Sequence, residues 1–468
     1  MTAPSRIAGN TVLLVADRLV SLAVGVAIIS QVSRYLGVEG FGHFGLVQTL
    51  VPAFLVLSDF GMSTILLREL AIEGPDRGRL LGTVTVLRVG LGLASLAACV
   101  GLAALLGYRG PLFWAIVLYA GSLLLPPLET LGLVFRATVR NERLVAASLL
   151  GLLAYAAGAW ATVSLDLGLL GVTAALLASS IVRAAVTLAL AAREVRPRFV
   201  IDMRTWLRLG RLAAPLGIAS LFGILYGRMD MVILSKLARP SDLGLYSAAS
   251  RFGVILSFFP QAFGGVVFPA LSQASGDQPT LARLYGQATK VVIVLGLLAA
   301  GVLSGSANEV VRVVFGEAFE GAGSILQVIG WQYALIFLNT ISGYLLIAIG
   351  RQRDSMVLDG IAVVVNAAAL LVLVPLRGAM GAALAGLVTH AAIAVMAAAV
   401  VWRRAACSPS ISLVARSLLA TGVMLLVQRW PGVGPIAGPL AYVGLLCLMR
   451  VYSVRDVRAL IPRIAAAP

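Results

Sequence analysis

Residues 82–106 read GTVTVLRVGLGLASLAACVGLAALL, with one charge, Arg88, in the whole stretch. At 1.5 Å per residue a helix of that length exceeds the ~30 Å hydrocarbon core of a bilayer. The two-residue alternation of a membrane β-barrel strand is missing. The stretch therefore predicts a transmembrane helix. Comparable runs recur on both sides of it, near residues 11–36, 43–67, 112–135, 144–165, 168–192, 209–235, 243–272, 286–308, 322–349, 355–376, 379–402, 412–430 and 435–452. The expectation is an all-α polytopic membrane protein of about fourteen transmembrane helices.

Composition agrees. The 468 residues are 60% hydrophobic and 12% charged, with a mean hydropathy of +0.98. Soluble domains are nearer half apolar and a quarter charged, so the surplus apolar surface must face lipid. The run at 11–36 is too long for the apolar centre of a cleavable signal. Cys99, Cys407 and Cys447 sit in or beside apolar runs with no paired spacing, which implies no disulfide or zinc framework.

The formal net charge is +16. The arginines stand in short gaps between apolar runs rather than on a soluble basic stripe, so membrane lipids are expected as partners and nucleic acid is not. One set of gaps holds Arg77 and Arg79; Arg136, Arg140 and Arg143; Arg193, Arg196, Arg198, Arg204, Arg208 and Arg211; Arg351 and Arg353; Arg403 and Arg404; and the tail from Arg450. The opposite set is poorer, and Glu39, Asp166, Asp242, Glu317 and Glu320 dilute it. The positive-inside rule then places both termini in the cytoplasm, which requires an even helix count. The longest gap, Glu194 to Leu209, has the makings of an amphipathic segment on the inner surface.

The halves echo each other. Gly42-His43-Phe44 matches Gly244-Leu245-Tyr246, Ala137 to Asn141 matches Ala348 to Gln352, and Leu170-Gly171 matches Met380-Gly381, at offsets of 202, 211 and 210 residues. This predicts two parallel six-helix lobes around a central cavity, with two C-terminal helices appended. The lobes are 1–193 and 209–404, joined by a cytoplasmic linker at 194–208, and 405–468 holds helices 13 and 14 with the tail.

No P-loop, His-Glu-x-x-His or Gly-x-Ser-x-Gly motif occurs, and the only histidines are His43 and His390. No ATP site, metal site or catalytic residue is expected. The informative residues are charges inside the runs, each costing roughly 2.5–3.5 kcal/mol at the bilayer centre. Asp17, Arg18, Asp59, Arg88, Glu129, Lys290 and Asp359 fall in the cytoplasmic third, where a salt-bridge network is an equal reading. Arg183 and His390 lie near the middle, and Arg228, Asp230 and Arg251 in the outer half. Pro52, Pro126, Pro127, Pro215, Pro260 and Pro269 fall in or near runs, where they kink helices.

Several short motifs carry a resemblance. Arg34-Tyr35-Leu36-Gly37 is followed by Phe41-Gly42-His43-Phe44, then Asp59-Phe60-Gly61-Met62 and Arg68-Glu69. In the second half Asp230-Met231-Val232-Ile233-Leu234 precedes Gly244-Leu245-Tyr246-Ser247-Ala248-Ala249-Ser250-Arg251-Phe252. Over nearly its whole length the chain resembles the polysaccharide-exporting, Wzx-type branch of the multidrug/oligosaccharidyl-lipid/polysaccharide exporter superfamily. The resemblance implies a flippase, not an enzyme, that carries a polyprenyl-diphosphate-linked glycan to the outer face of a bacterial cell membrane. It implies proton or sodium coupling, and glycan polymerases or glycosyltransferases as partners. Arg228, Arg251, Arg88, Arg18 and Arg183 are then the expected cargo-binding residues, and Asp17, Asp59 and Asp230 the coupling or pairing carboxylates. A peptidoglycan lipid-precursor flippase, a multidrug exporter of the same fold, and a membrane glycan polymerase or ligase are the alternatives.

Overall fold

In the computed structural model, residues 3–71, 77–138, 140–408, 410–430, 434–449 and 451 are described. No strand occurs among them. The helices are α1 (3–36), α2 (38–59, resumed as Met62–Ala71), α3 (Arg77–Leu105), α4 (Gly110–Ala137), α5 (Glu142–Ser164), α6 (Gly168–Ala191) and α7 (Met203–Leu237). They continue as α8 (Pro240–Gln273), α9 (Gln278–Phe315), α10 (Gly321–Ala348), α11 (352–377), α12 (379–405), α13 (Ile411–Gln428) and α14 (Gly434–Leu448). The protein is thus an all-α, multi-pass membrane protein, with fourteen helices among the described residues. Leu93, Trp114, Leu153, Trp160, Val364 and Leu426 are exposed, as a lipid-facing surface requires.

Two junctions have no loop. Gly37 separates α1 from α2 with φ 65°, and Gly378 separates α11 from α12 with φ 56°. Only glycine takes such values without a steric penalty. At Gly378 a Cβ would also stand 2.7 Å from the Asp242 carboxylate.

By contact the chain groups into two compact units, Met1–Ser235 and Lys236–Pro468. Helix α7 packs within the first unit. The Trp206 indole N–H donates to the Thr83 carbonyl at 2.9 Å, and a Cβ on Gly217 would stand 2.8 Å from the Phe60 ring. The lobes expected from the internal repeat are a partition by symmetry and count α7 with the later half. The core of the first unit gathers Leu66, Leu81, Val84, Phe135, Leu209 and Ala213 from α2, α3, α4 and α7. Within the Glu194 to Leu209 stretch, expected to be an amphipathic segment, residues 195–202 run without helix and α7 begins at Met203. Those residues are held on α3 instead: the Arg198 N–H donates to the Gly78 carbonyl at 3.0 Å.

In the second unit, Gly253 and Gly264 on α8 accommodate the Tyr333 and Tyr344 rings of α10. Phe259 stacks on Phe263 and Phe337 at 5.7 and 5.6 Å between ring centres. Helices α13 and α14 pack on α9, where the Tyr442 hydroxyl donates to the Val294 carbonyl at 2.9 Å. Cys99 and Cys407 are buried, whereas Cys447 on α14 is exposed.

Each unit pins the start of one helix with a side chain from an earlier junction. The Tyr35 hydroxyl donates to Asp166 at 2.7 Å and accepts the Gly168 N–H at 2.8 Å, where α6 begins. Asp242 accepts the Ala379 N–H at the start of α12 and the Arg239 N–H at the start of α8, both at 3.3 Å. Gly168 and Gly378 stand 210 residues apart, the same offset as Gly171 and Gly381.

Candidate functional site

The first unit contains a charged cavity, and the break in α4 makes one of its walls. Pro126-Pro127 interrupts the helix, flanked by tighter turns at Gly121–Leu124 and Thr130–Gly132. Pro127 has no N–H to offer the carbonyl four residues earlier. That carbonyl, on Leu123, accepts from the Ser58 hydroxyl at 3.4 Å instead. The Pro126 carbonyl takes the Thr130 hydroxyl at 3.0 Å. The break thus keeps its polar groups satisfied.

Arg88 reaches this break from α3. It is 5% exposed. One terminal N–H₂ donates to the Thr130 hydroxyl at 2.8 Å and the other to Asp59 at 2.7 Å. Its Nε is buried with no hydrogen-bond partner. Asp59, near the end of α2, also accepts from the Ser63 hydroxyl and the Ser63 N–H. On the next wall Arg183 of α6 pairs with Glu129 at 2.9 Å, and about half of its side chain is exposed.

The cavity encloses about 650 Å³ and is lined by Asp17, Ser63, Arg88, Glu129, Arg136, Asn141, Ser148, Arg183 and Thr187 among others. Asp17 presents a buried Oδ1 with no partner. Three guanidinium groups therefore face two carboxylates on the lining, with a third carboxylate, Asp59, behind Arg88. Such a wall offers an anion several charge-assisted donors together with neutral amide and hydroxyl groups. Among the described residues no group of three His, Cys, Asp or Glu side chains is arranged to hold a metal ion.

Of the residues singled out from sequence, Asp17, Asp59, Arg88 and Arg183 come together here. Arg18 lies on α1, with its side chain outside the described residues. Arg228 and Asp230 lie farther along α7 and line no part of this cavity. Arg228 is exposed and makes no ion pair among the described residues. Asp230 is half-buried and accepts the Met231 N–H at 2.8 Å. Arg251 is half-buried on α8, in the second unit. The salt-bridge reading holds for Arg88 with Asp59 and for Arg183 with Glu129. Glu129 and Arg136 stood out by charge but were not expected at the site. Asn141, Ser148 and Thr187 gave no signal, because uncharged polar residues are common in membrane helices.

Three comparisons bear on this architecture. A family model described as "Polysaccharide biosynthesis protein" matches residues 8–275, more than half of the chain and all of the cavity. The succinoglycan biosynthesis transport protein ExoT of Rhizobium meliloti (strain 1021) is 25% identical over 302 residues, which cover 63% of this chain and 59% of that protein. The match therefore spans less than two thirds of that relative's length. Among solved structures, the lipid II flippase MurJ in an inward closed conformation aligns with a TM-score of 0.77 at 14% identity, over 94% of this chain and 98% of that one. An inward-facing multidrug resistance MATE family transporter of the MOP superfamily aligns with a TM-score of 0.64 at 17% identity, over 83% and 97%. At such identities these two show a shared fold.

Proposed function

Because the chain belongs to the polysaccharide biosynthesis protein family, we propose that it is a lipid-linked oligosaccharide flippase. It moves a polyprenyl-diphosphate-linked glycan from the cytoplasmic to the outer face of a bacterial cell membrane by alternating access between two six-helix lobes. Both termini lie in the cytoplasm, and glycan polymerases or glycosyltransferases act on the same lipid before and after the crossing. The observation that carries this reading is the arginine-lined cavity, which lies wholly inside the matched stretch.

The physical problem is the polar cargo. Each sugar hydroxyl stripped of partners costs roughly 4–8 kcal/mol, so a glycan does not cross lipid unaided. A hydrated cavity removes most of that cost while the prenyl tail stays in lipid. The diphosphate is drawn by counter-charge: one ion pair at 4 Å gives about 4 kcal/mol at an effective dielectric of 20. Arg88, on the lining, holds its charge beside it through the bonds to Thr130 and Asp59. Arg183, half exposed, exchanges Glu129 for a phosphate oxygen, and Arg136 completes the set. Arg18, Arg228 and Arg251 serve later positions along the path. Asp17, Asp59 and Asp230 hold these arginines between cycles or take up a coupling proton or sodium ion. The membrane potential adds roughly 2.3 kcal/mol per charge per 100 mV.

A multidrug exporter of this fold needs a net acidic cavity for cationic drugs, and the lining has the opposite balance. The shared fold with the lipid II flippase keeps a peptidoglycan precursor as the second reading, since that cargo also carries a diphosphate. Deleting the gene and following glycan lipid on each membrane face tests the proposal. Accumulation on the inner face with normal synthesis supports a flippase, and loss of synthesis itself overturns it in favour of an enzyme. Arg88→Gln, Arg228→Ala and Arg251→Ala are each expected to reduce export at unchanged abundance. Normal export in all three removes them from the path.

A further inference from the structure

The connection from α6 to α7 is built unlike a free loop. Its backbone lies against α3 so closely that a Cβ on Gly78 would stand 2.5 Å from the Arg196 carbonyl oxygen. The same construction at Gly82 would meet the Arg198 carbonyl. This bed fixes the strap, with Val195 packed on the core, and leaves Phe199 and Ile201 pointing away, 62% and 73% exposed. Asp202 then starts α7 by accepting the Thr205 N–H and hydroxyl at 3.1 and 2.9 Å.

The first turns of α7 have two faces. Leu209 and Ala213 are buried in the core of the first unit. Arg204, Leu207, Arg208, Arg211 and Leu212, spaced three and four apart, line a shallow groove of about 470 Å³ on the other face. The nearby carboxylates are already engaged. Glu194 is held by Arg140 and Arg143 at 2.9 and 2.6 Å. Asp202 caps α7 and meets Arg79 at 3.4 Å, and Glu69 meets Arg208 at 3.3 Å. Arg196, Arg198, Arg204 and Arg211 make no ion pair among the described residues. A fixed, exposed surface that alternates guanidinium groups with large apolar side chains is matched by a molecule with a phosphate at one end and acyl chains at the other.

We propose that the groove formed by Arg204, Leu207, Arg208, Arg211 and Leu212, with the adjoining strap, is a binding site for an anionic phospholipid of the leaflet in which α7 begins. The guanidinium groups hold the phosphate. The acyl chains run along Leu207 and Leu212, and Phe199 and Ile201 enter the same leaflet beside them. The lipid is a resident of the site and not the transported molecule, so the proposal stands whatever the cargo.

The test uses the full chain in phosphatidylcholine nanodiscs carrying a photo-crosslinking phosphatidylglycerol or, separately, the matching phosphatidylcholine. Each arginine near an anionic headgroup favours binding by about fivefold. With mutual crowding of three such charges, phosphatidylglycerol is expected to label residues 199–212 about tenfold more than phosphatidylcholine does. Arg204→Gln, Arg208→Gln and Arg211→Gln together should bring the two probes within about twofold of each other. Arg351→Gln with Arg353→Gln, in another arginine-rich gap, should leave the preference intact. Equal labelling by the two probes in the unaltered protein overturns the site without reference to any variant. Loss of the preference in the Arg351/Arg353 variant shows a diffuse surface charge and also overturns it. Displacement of the probe by undecaprenyl diphosphate at lower concentration than by phosphatidylglycerol shows a loading site for cargo, and displacement by inorganic phosphate alone shows an anion site without lipid. Either result refutes the proposal.

Discussion

Removing Asp59 should harm the protein more than removing its partner Arg88, because the two charges are unequally buried. The Arg88 side chain is 6% exposed and that of Asp59 33%. Asp59→Ala strands a guanidinium away from water, and breaking a buried pair in this way costs about 3–5 kcal/mol. Arg88 keeps its hydrogen bond to Thr130, which puts the cost near the low end, about 3 kcal/mol. Arg88→Met strands a carboxylate that still has Ser63 and some water, so its cost is about 1 kcal/mol. The double variant strands neither charge and should recover about 2 kcal/mol relative to Asp59→Ala. Cys99 is fully buried in the same unit and reports unfolding. With Cys407→Ala and Cys447→Ser in the background, maleimide labelling of Cys99 against denaturant in detergent micelles gives the three stabilities. An Arg88→Met variant as unstable as Asp59→Ala, or a double variant with no recovery, refutes the reasoning that charge burial sets the cost.

Three further outcomes are expected. Gly378→Ala forces an L side chain to φ 56° and pushes on the Asp242 carboxylate, so it should lower stability by about 2–3 kcal/mol, whereas Gly90→Ala, with nothing within 4 Å of its Cβ, should be neutral or slightly stabilising in the same denaturation assay. The Thr205 N–H and hydroxyl, with lesser help from Arg79, hold the Asp202 carboxyl below the usual carboxylate range. Its folded pKa is thus depressed, so its contribution is complete above the unfolded value of about 3.9 and disappears as pH falls through the folded value. Asp202→Ala should flatten that acid limb in a melting-temperature series across pH. Arg183→Gln should change stability by less than about 1 kcal/mol, since the pair with Glu129 is half exposed, yet slow glycan-lipid translocation in vesicles about tenfold or more.

The helices were legible because a bilayer imposes their length. The run read at 82–106 is helical from Arg77 to Leu105, and the one read at 168–192 runs from Gly168 to Ala191. The loopless junctions were not legible. The polar turn expected at 37–42 is a single residue, because the positive φ of Gly37 lets the helix resume at once. The charges of the cavity were visible individually, since an ionised group in an apolar run is costly. Their pairing was not. Arg88 meets partners 29 and 42 residues away in sequence, and Arg183 meets one 54 residues away. No local periodicity encodes separations of that kind. The division of α4 followed from Pro126-Pro127, but the substitute bonds from Ser58 and Thr130 depend on packing.

Asp242 ends two helix starts with one carboxylate, and this has a mechanical consequence. The Arg239 bond is internal to the first turn of α8, so a slip of α8 or α12 along its axis breaks the Ala379 cap alone, at about 1 kcal/mol. Pro260 and Pro269 lie toward the other end of α8. A bend at those prolines leaves the first turns of α8 pinned at position 242 and displaces the segment beyond Pro260. In the first unit Tyr35 pins the start of α6, and the paired prolines interrupt a different helix, α4.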